Sequence, residues 1–431
     1  MKMKNKKKYV MVGTGGRARF FYGAIASAYK ETAELAAFCD INKTRMNYAN
    51  SVLQSNYGLS PIDLYTPDKF DEMIKHHKPD TIIVTSVDRT HHTYIMRALE
   101  LGCDVITEKP MTVDAIKCQA ILDCVKKTGR NLRVTFNYRY APHNTKIREL
   151  ISKGTIGNVN SVHFEWLLDT RHGADYFRRW HRDKRNSGGL LVHKSTHHFD
   201  LVNFWLDTKP NIVFAMGDLM FYGRENAEKR GVIEFYTRAH SSEFAKEDPF
   251  ALNMSNNATL KAMYLDAEKD DGYIRDQSVF GDGISIEDTM GVLVRYQSNA
   301  ILTYSLNAYM PWEGFRVAFN GTKGRIQLSV VESAYVNAGG DVFEEGAVKK
   351  TSIAVFPMFD APYAVEIEKK AGGHGGGDPI LLNDLFGVPE YDPYNRAASH
   401  VDGAMSILTG IAANESIKTG MPVKVKELVQ F

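Results

Sequence analysis

A chain of 431 residues exceeds the usual size of one compact domain, so two domains meeting at a cleft are expected. The 44% hydrophobic and 24% charged residues are those of an ordinary globular protein, and a formal net charge of +2 provides no basic field for nucleic acid. The run Lys2, Lys4, Lys6, Lys7 and Lys8 reads as a solvated tail; no apolar signal segment follows it and no span of ~20 apolar residues occurs, so the chain reads as cytoplasmic, without a membrane or nucleic-acid partner.

The first third alternates strand and helix. Residues 8–12 form an apolar strand ending in Gly13-Thr14-Gly15-Gly16-Arg17, and 18–29 reads as a helix. Apolar strands follow at 35–39, 81–85 and 104–107, separated by helix-like stretches, and another at 132–136. Such alternation implies a doubly wound parallel sheet (α/β), whose ligands bind at the carboxyl ends of the strands. Gly13 and Gly15 let the backbone turn sharply and approach a pyrophosphate, Ala18 supplies the final small residue of a GxGxxA pattern, and the helix offers its unpaired amides. Asp40, at the end of the second strand, can accept hydrogen bonds from the adenosine ribose and would repel a 2′-phosphate. This favours NAD over NADP, with Lys43 and Arg45 nearby keeping NADP open. Cys39, Cys103, Cys118 and Cys124 show no metal-ligand spacing and read as reduced thiols.

Four stretches carry a family likeness: Thr85-Ser86-Val87-Asp88-Arg89-Thr90-His91-His92, then Thr107-Glu108-Lys109-Pro110, and further on Asn137-Tyr138-Arg139-Tyr140 and residues 188–206. Together they resemble the Gfo/Idh/MocA oxidoreductases, a likeness running through nearly the whole chain. The resemblance implies a Rossmann domain, here 1–140, followed by an α+β domain, 141–431, built on a large, mostly antiparallel sheet through which members commonly form homodimers or homotetramers. It implies that Ser86, His91, Glu108, Lys109 and Asn137 join Gly13, Thr14, Gly15, Gly16, Arg17 and Asp40 around the cofactor, with Tyr138 and Arg139 near the domain junction and the substrate. Pro110 ends a strand and aims Lys109 into the cleft, where an ammonium can hold a substrate hydroxyl, stabilise a developing alkoxide and pass on a proton. The plain alternative is a surface lysine paired with Glu108.

Residues 188–206 read as one helix, in which His193, His197 and Asp200 recur on one face. The resembled pattern, Asp-x-Gly-x-His-x-x-Asp, puts the histidine at His197. Position 193 carries His instead of Asp, and 195 carries Ser instead of Gly. We therefore expect His197 to act as general acid or base and His193 as a proton relay or hydroxyl ligand, with His198 structural. The His193/His197 pair together with His374, in the loop Gly372-Gly373-His374-Gly375-Gly376-Gly377-Asp378, also has the residue types of a metal site. The Glu of a His-Glu-x-x-His site is missing, so His374 is read as a sugar contact and no metal is expected. Arg178, Trp180 and His181, along with Lys194, offer a ring face and donors to a polyhydroxylated substrate; a solvated basic loop anchored by Trp180 is the alternative.

Beyond residue 157 the pattern turns to strands at 159–167, 212–222, 291–296, 300–306, 315–319 and 325–330. The polar stretch 224–283 reads as an elaboration over the pocket or at an oligomer interface, and 397–419 as a closing helix. The expected activity is hydride transfer from a secondary hydroxyl of a sugar, glycoside or inositol. The alternatives are an NAD-dependent glycoside hydrolase working through transient C3 oxidation and elimination, and a non-catalytic cofactor-holding sensor.

Overall fold

In the computed structural model, which describes residues 6–332, 347–368, 370, 372–388 and 391–431, the first apolar run becomes β1 (Lys7–Val12), whose last four residues are fully enclosed. It pairs in parallel with β2 (Ala33–Cys39) on one side and β4 (Thr81–Val84) on the other. With β3 (Asp63–Tyr65), β5 (Asp104–Thr107) and β6 (Leu132–Val134) this gives a six-stranded parallel sheet in the order β3-β2-β1-β4-β5-β6. The chain reverses its winding between β1 and β4, so a crevice opens at their carboxyl ends, and the glycine turn, Asp40 and the Thr85–His91 segment all lie there. Gly13 has φ 88°, and a Cβ there would stand 2.6 Å from the Thr85 carbonyl. Its smallness thus serves the packing of two strand ends, whereas a Cβ on Gly15 would meet nothing and leaves room for a ligand.

The second domain is built on a nine-stranded sheet. Its strands are β7 (Val159–Asp169), β8 (Pro210–Asp218), β9 (Thr289–Tyr296), β10 (Ile301–Met310), β11 (Glu313–Gly321), β12 (Gly324–Glu332), β13 (Val348–Pro357), β14 (Tyr363–Val365) and β15 (Val423–Lys424). The order is β14-β13-β12-β11-β7-β10-β9-β8-β15, antiparallel throughout except for the central β7–β10 pair. One face packs Phe164, Trp166, Tyr304 and Phe315 against the helix Ser195–Leu206, which the C-terminal helix His400–Thr419 flanks in turn.

The sequence predicts one helix over 188–206; the structure has two, Leu190–His193 and Ser195–Leu206, parted at Lys194. Gly188 and Gly189 take φ of 72° and 78° before the first, so the chain enters it from a left-handed turn. The closing helix begins at His400 because Ser399 caps it: Ser399 and Asp402 each bind the other's backbone amide, a capping box. β13, β14 and the short β3 and β15 fall outside the predicted strands; they are brief or polar, and their partners determine them more than their own residues do. All four cysteines are buried free thiols. Among the described residues no helix is long and apolar enough to cross a membrane.

Candidate active site

A cavity of about 500 Å³ runs along the junction of the two domains. Gly13, Gly15, Gly16, Arg17 and Asp40 line one end of it, and Ser86, His91, Glu108, Lys109 and Asn137 its middle. Tyr138, Trp180, His181, His193, Lys194, His197 and His374 line the other end. The cleft therefore gathers nearly all the residues singled out in the sequence.

At the nucleotide end Asp40 is held in place before any ligand arrives. Its Oδ2 accepts from the Thr14 amide at 2.6 Å and from the Thr14 hydroxyl at 2.8 Å, while Oδ1 accepts from the Asn42 amide at 2.9 Å. Thr14 thus faces Asp40 and is not part of the cavity lining. Arg45 is claimed by Asp271 in a buried ion pair. That partner belongs to the 224–283 segment, which lies over the cleft: Tyr264 accepts from the Gly16 amide at 3.2 Å, and the Ala267 carbonyl accepts from Asn42 at 2.8 Å.

Lys109 follows β5, and the Lys109–Pro110 bond is cis. His91 contacts the Pro110 carbonyl at 2.8 Å and the Ser86 carbonyl at 3.0 Å, linking the two loops. Glu108 takes Arg17 at 2.8 Å, and the Lys109 ammonium donates to the His193 carbonyl at 3.2 Å, so Lys109 is a residue of the cleft and not of the outer surface. His197, in the first turn of the helix Ser195–Leu206, packs edge-on against Phe136 and Tyr138, and its Nδ1 finds no hydrogen-bond partner among the described residues. Burial, and after it the charges of Lys109 and Lys194, push the imidazoles of His193 and His197 well below their ordinary range, which favours the neutral ring.

His374 enters through the glycine loop, where His374, Gly375 and Gly376 all have positive φ. Asp378 accepts from its Nδ1 at 2.9 Å and from the Asn137 amide group at 2.8 Å, leaving the Asn137 Oδ1 unpartnered among the described residues. That unpartnered acceptor and the open space at Gly15 fit a dinucleotide, an amide donor at one end and phosphates at the other.

Two expected substrate residues lie elsewhere. Arg139 is 3% exposed and forms a two-pronged ion pair with Asp200, at 2.7 and 2.5 Å, plus a contact to Asp402. Arg178 is turned toward Asp175 and the Phe250 carbonyl. Both are buried structural links; neither lines the cavity. Asp200 is consumed in the same way. His198 stacks on Trp166 at 3.8 Å and bonds the Tyr304 hydroxyl, away from the cavity lining. Among the described residues, His193, His197 and His374 do not converge on one point as metal ligands must; the one such cluster, Asp63 with His76 and His77, lies at β3 and outside the cavity.

Sequence reasoning gives no role to several lining residues. Asp88 contacts His193 Nδ1 at 2.5 Å. Glu313 and Glu332 face each other across β11 and β12, with His172 on Glu313 at 2.6 Å and Tyr138 on Glu332 at 3.1 Å. Burial pushes both carboxyls up, and the Lys194 charge opposes it. The only signal for them is a charge at the end of an otherwise apolar strand, which alone does not distinguish a cavity from a rim.

Two family descriptions match the chain: "Oxidoreductase family, NAD-binding Rossmann fold" over residues 7–136 and "Oxidoreductase family, C-terminal alpha/beta domain" over residues 148–425. YteT of Bacillus subtilis (strain 168), named as an oxidoreductase, is 36% identical over 440 aligned residues, covering 99% of both chains. The D-glucoside 3-dehydrogenase of Escherichia coli (strain K12) is 31% identical over 173 residues, 40% of this chain and 46% of that one. In fold, the chain is similar to the crystal structure of aldose-aldose oxidoreductase from Caulobacter crescentus, with a TM-score of 0.64 at 16% identity over 97% of this chain and all of the other. A glycine turn feeding a cleft that holds the Glu-Lys-Pro lysine, together with matches to both domains, places this chain in the Gfo/Idh/MocA oxidoreductase family.

Proposed function

We propose that the protein uses NAD to remove a hydride from a secondary hydroxyl of a sugar, glycoside or inositol. The observation that carries this is that Lys109, from the loop after β5, and His193 and His197, on either side of the break at Lys194, line the same cavity as the glycine turn and Asp40, with the Lys109 ammonium 3.2 Å from the His193 carbonyl. When bound, the nicotinamide supplies the hydride acceptor. Lys109 polarises the hydroxyl, a neutral histidine takes its proton, and the stacked Trp180 and His181 rings offer a face to the sugar's C–H surface. NAD is favoured over NADP because Asp40 keeps its carboxylate at the ribose position and Arg45, the nearby guanidinium, is already paired with Asp271. The proposal extends to association of two or four copies through the open face of the nine-stranded sheet, which light scattering would measure.

Incubation with NAD and a panel of sugars, glycosides and inositols should produce reduced nicotinamide. Lys109→Ala should lower kcat/KM on the order of 10²–10⁴ while NAD binding persists. Absence of turnover in both directions across the panel, or full activity in Lys109→Ala, rejects the reading.

One observation favours a second reading, a redox-neutral glycoside hydrolase. Glu313, Glu332, Lys194 and His172 form an acid–base group in the cavity beyond what a single hydride transfer needs. Aryl-glycoside cleavage without net reduction of NAD would select it.

A further inference from the structure

The resembled family pattern has a carboxylate at position 193, and this chain has an imidazole. The carboxylate has not been lost from the site. Asp88 brings one from the other domain: it opens the one-turn helix Asp88–Thr90 after β4, 105 positions away in sequence, and its Oδ2 lies 2.5 Å from His193 Nδ1. Both side chains are nearly sealed, at 5% and 11% exposure, and both line the cavity.

We propose that Asp88 is a positioning residue for His193: it fixes the proton on Nδ1, so that Nε2 is the atom presented to the substrate hydroxyl. This rests on the function proposed above for the identity of the proton donor, but the state of the ring does not. In the proton-transfer step the substrate O–H breaks and its proton goes to Nε2. With a nicotinamide bound, the hydride of the adjoining C–H would leave to it as the carbonyl forms. Asp88 keeps the Nδ1 proton and stabilises the resulting imidazolium, as a buried carboxylate does for a catalytic histidine elsewhere.

The surroundings suit this task. Lys109, Arg179 and Lys194 face the imidazole from three segments, and with burial they disfavour its charged form; His91 adds to this. The rings of His181, Tyr176 and Trp180 enclose it, with the His181 centroid 4.2 Å away. Burial pushes Asp88 well up, Glu108 adds to this, and Lys109 and Arg179 oppose it. Lys109 and Arg179 favour the Asp88 carboxylate and disfavour an imidazolium, so the charges around the pair suit a carboxylate that accepts from the Nδ1–H of a neutral ring. The two residues also suit only each other. A carboxylate at both 88 and 193, at this separation, would set two like charges together or force one of them to hold a proton, a conflict that His193 avoids.

Nitrogen-15 NMR of histidine-labelled protein, with and without NAD, tests this directly, the His193 ring signals being assigned by their loss in His193→Asp. The expected result is a neutral ring protonated at Nδ1, reverting to the Nε2-protonated form in Asp88→Ala. A ring already protonated at Nε2 in the unsubstituted protein overturns the proposal, as does an unchanged tautomer in Asp88→Ala. If the variant does not fold, the tautomer in the unsubstituted protein still supports or overturns the proposal. A kinetic cycle tests it independently. Asp88→Asn should lower kcat/KM by about 10²-fold or more and move the acid limb of its pH profile to lower pH, because losing the carboxylate makes the imidazolium harder to form. In a His193→Asp background the same Asp88→Asn change should raise activity by relieving two carboxylates. Equal losses in both backgrounds with an unmoved limb overturn the positioning role. The NMR arm needs no turnover, so a silent carbohydrate panel rejects the proposed function without touching this result.

Discussion

Asn137-Tyr138-Arg139-Tyr140 shows how neighbouring residues part company. The segment is a single tight turn, Asn137–Tyr140, so successive side chains leave in different directions: Tyr138 toward the cavity, Arg139 toward Asp200 beneath the helix Ser195–Leu206. Nothing in the order of the four letters says which side faces substrate, because a one-turn element has no amphipathic period to read. The pairing has an energetic consequence. Asp200→Asn leaves a guanidinium buried with half its charge uncompensated, so stability should fall by about 3–5 kcal/mol in urea unfolding, with KM for substrate little changed in the folded fraction. A large KM increase with unaltered stability would return Arg139 to the substrate site.

Periodicity reveals some of the site's elements and hides others. Lys109, His193, His197 and Lys194 were legible because a strand end followed by proline, and histidines at helical spacing, dictate where side chains point. The break at Lys194 preserves that arrangement, since His193 ends one helix and His197 lies in the first turn of the next. The 224–283 segment was not legible in the same way. Its pieces are short helical turns, among them Ala258–Leu260 and Glu268–Asp271, separated by loops, and they hold through Met254, Leu260, Met263 and Tyr264 packing with Tyr48. The contacts that matter there are long-range: Asp271 with Arg45, Tyr264 with the Gly16 amide, Asp270 with the Thr44 amide at 2.6 Å. Asp271→Asn should therefore weaken NAD binding on the order of tenfold, or ~1.4 kcal/mol, as read by calorimetry. Unaltered affinity would show that the segment covers the nucleotide site without shaping it.

For the molecule as a whole, the parallel sheet could be read because its strands, closed on both faces, are continuous apolar runs. The second sheet was visible where strands alternate, as in β9 with its buried-exposed rhythm, and invisible where pairing partners define a short strand such as β15. A ligand that binds only the folded cleft stabilises the protein by mass action, so NAD at about 100 times its Kd should add about 2.7 kcal/mol, seen as a rise in Tm. NADP at equal concentration should add less, because Asp40 repels its extra phosphate; an equal or larger rise would reverse the cofactor preference. The 224–283 segment has one more effect at this scale. It grips the first domain through Arg45 and Asn42, and the second through Arg275 on Asp175 at 2.9 Å and Arg182 on the Asp282 carbonyl at 2.8 Å. Because the segment is anchored in the second domain and also holds Arg45 and Asn42 of the first, it resists rotation of one domain against the other. Tyr273 of that segment lines the same cavity as Trp180, so a ligand that enters must fit between residues that the segment itself holds in place.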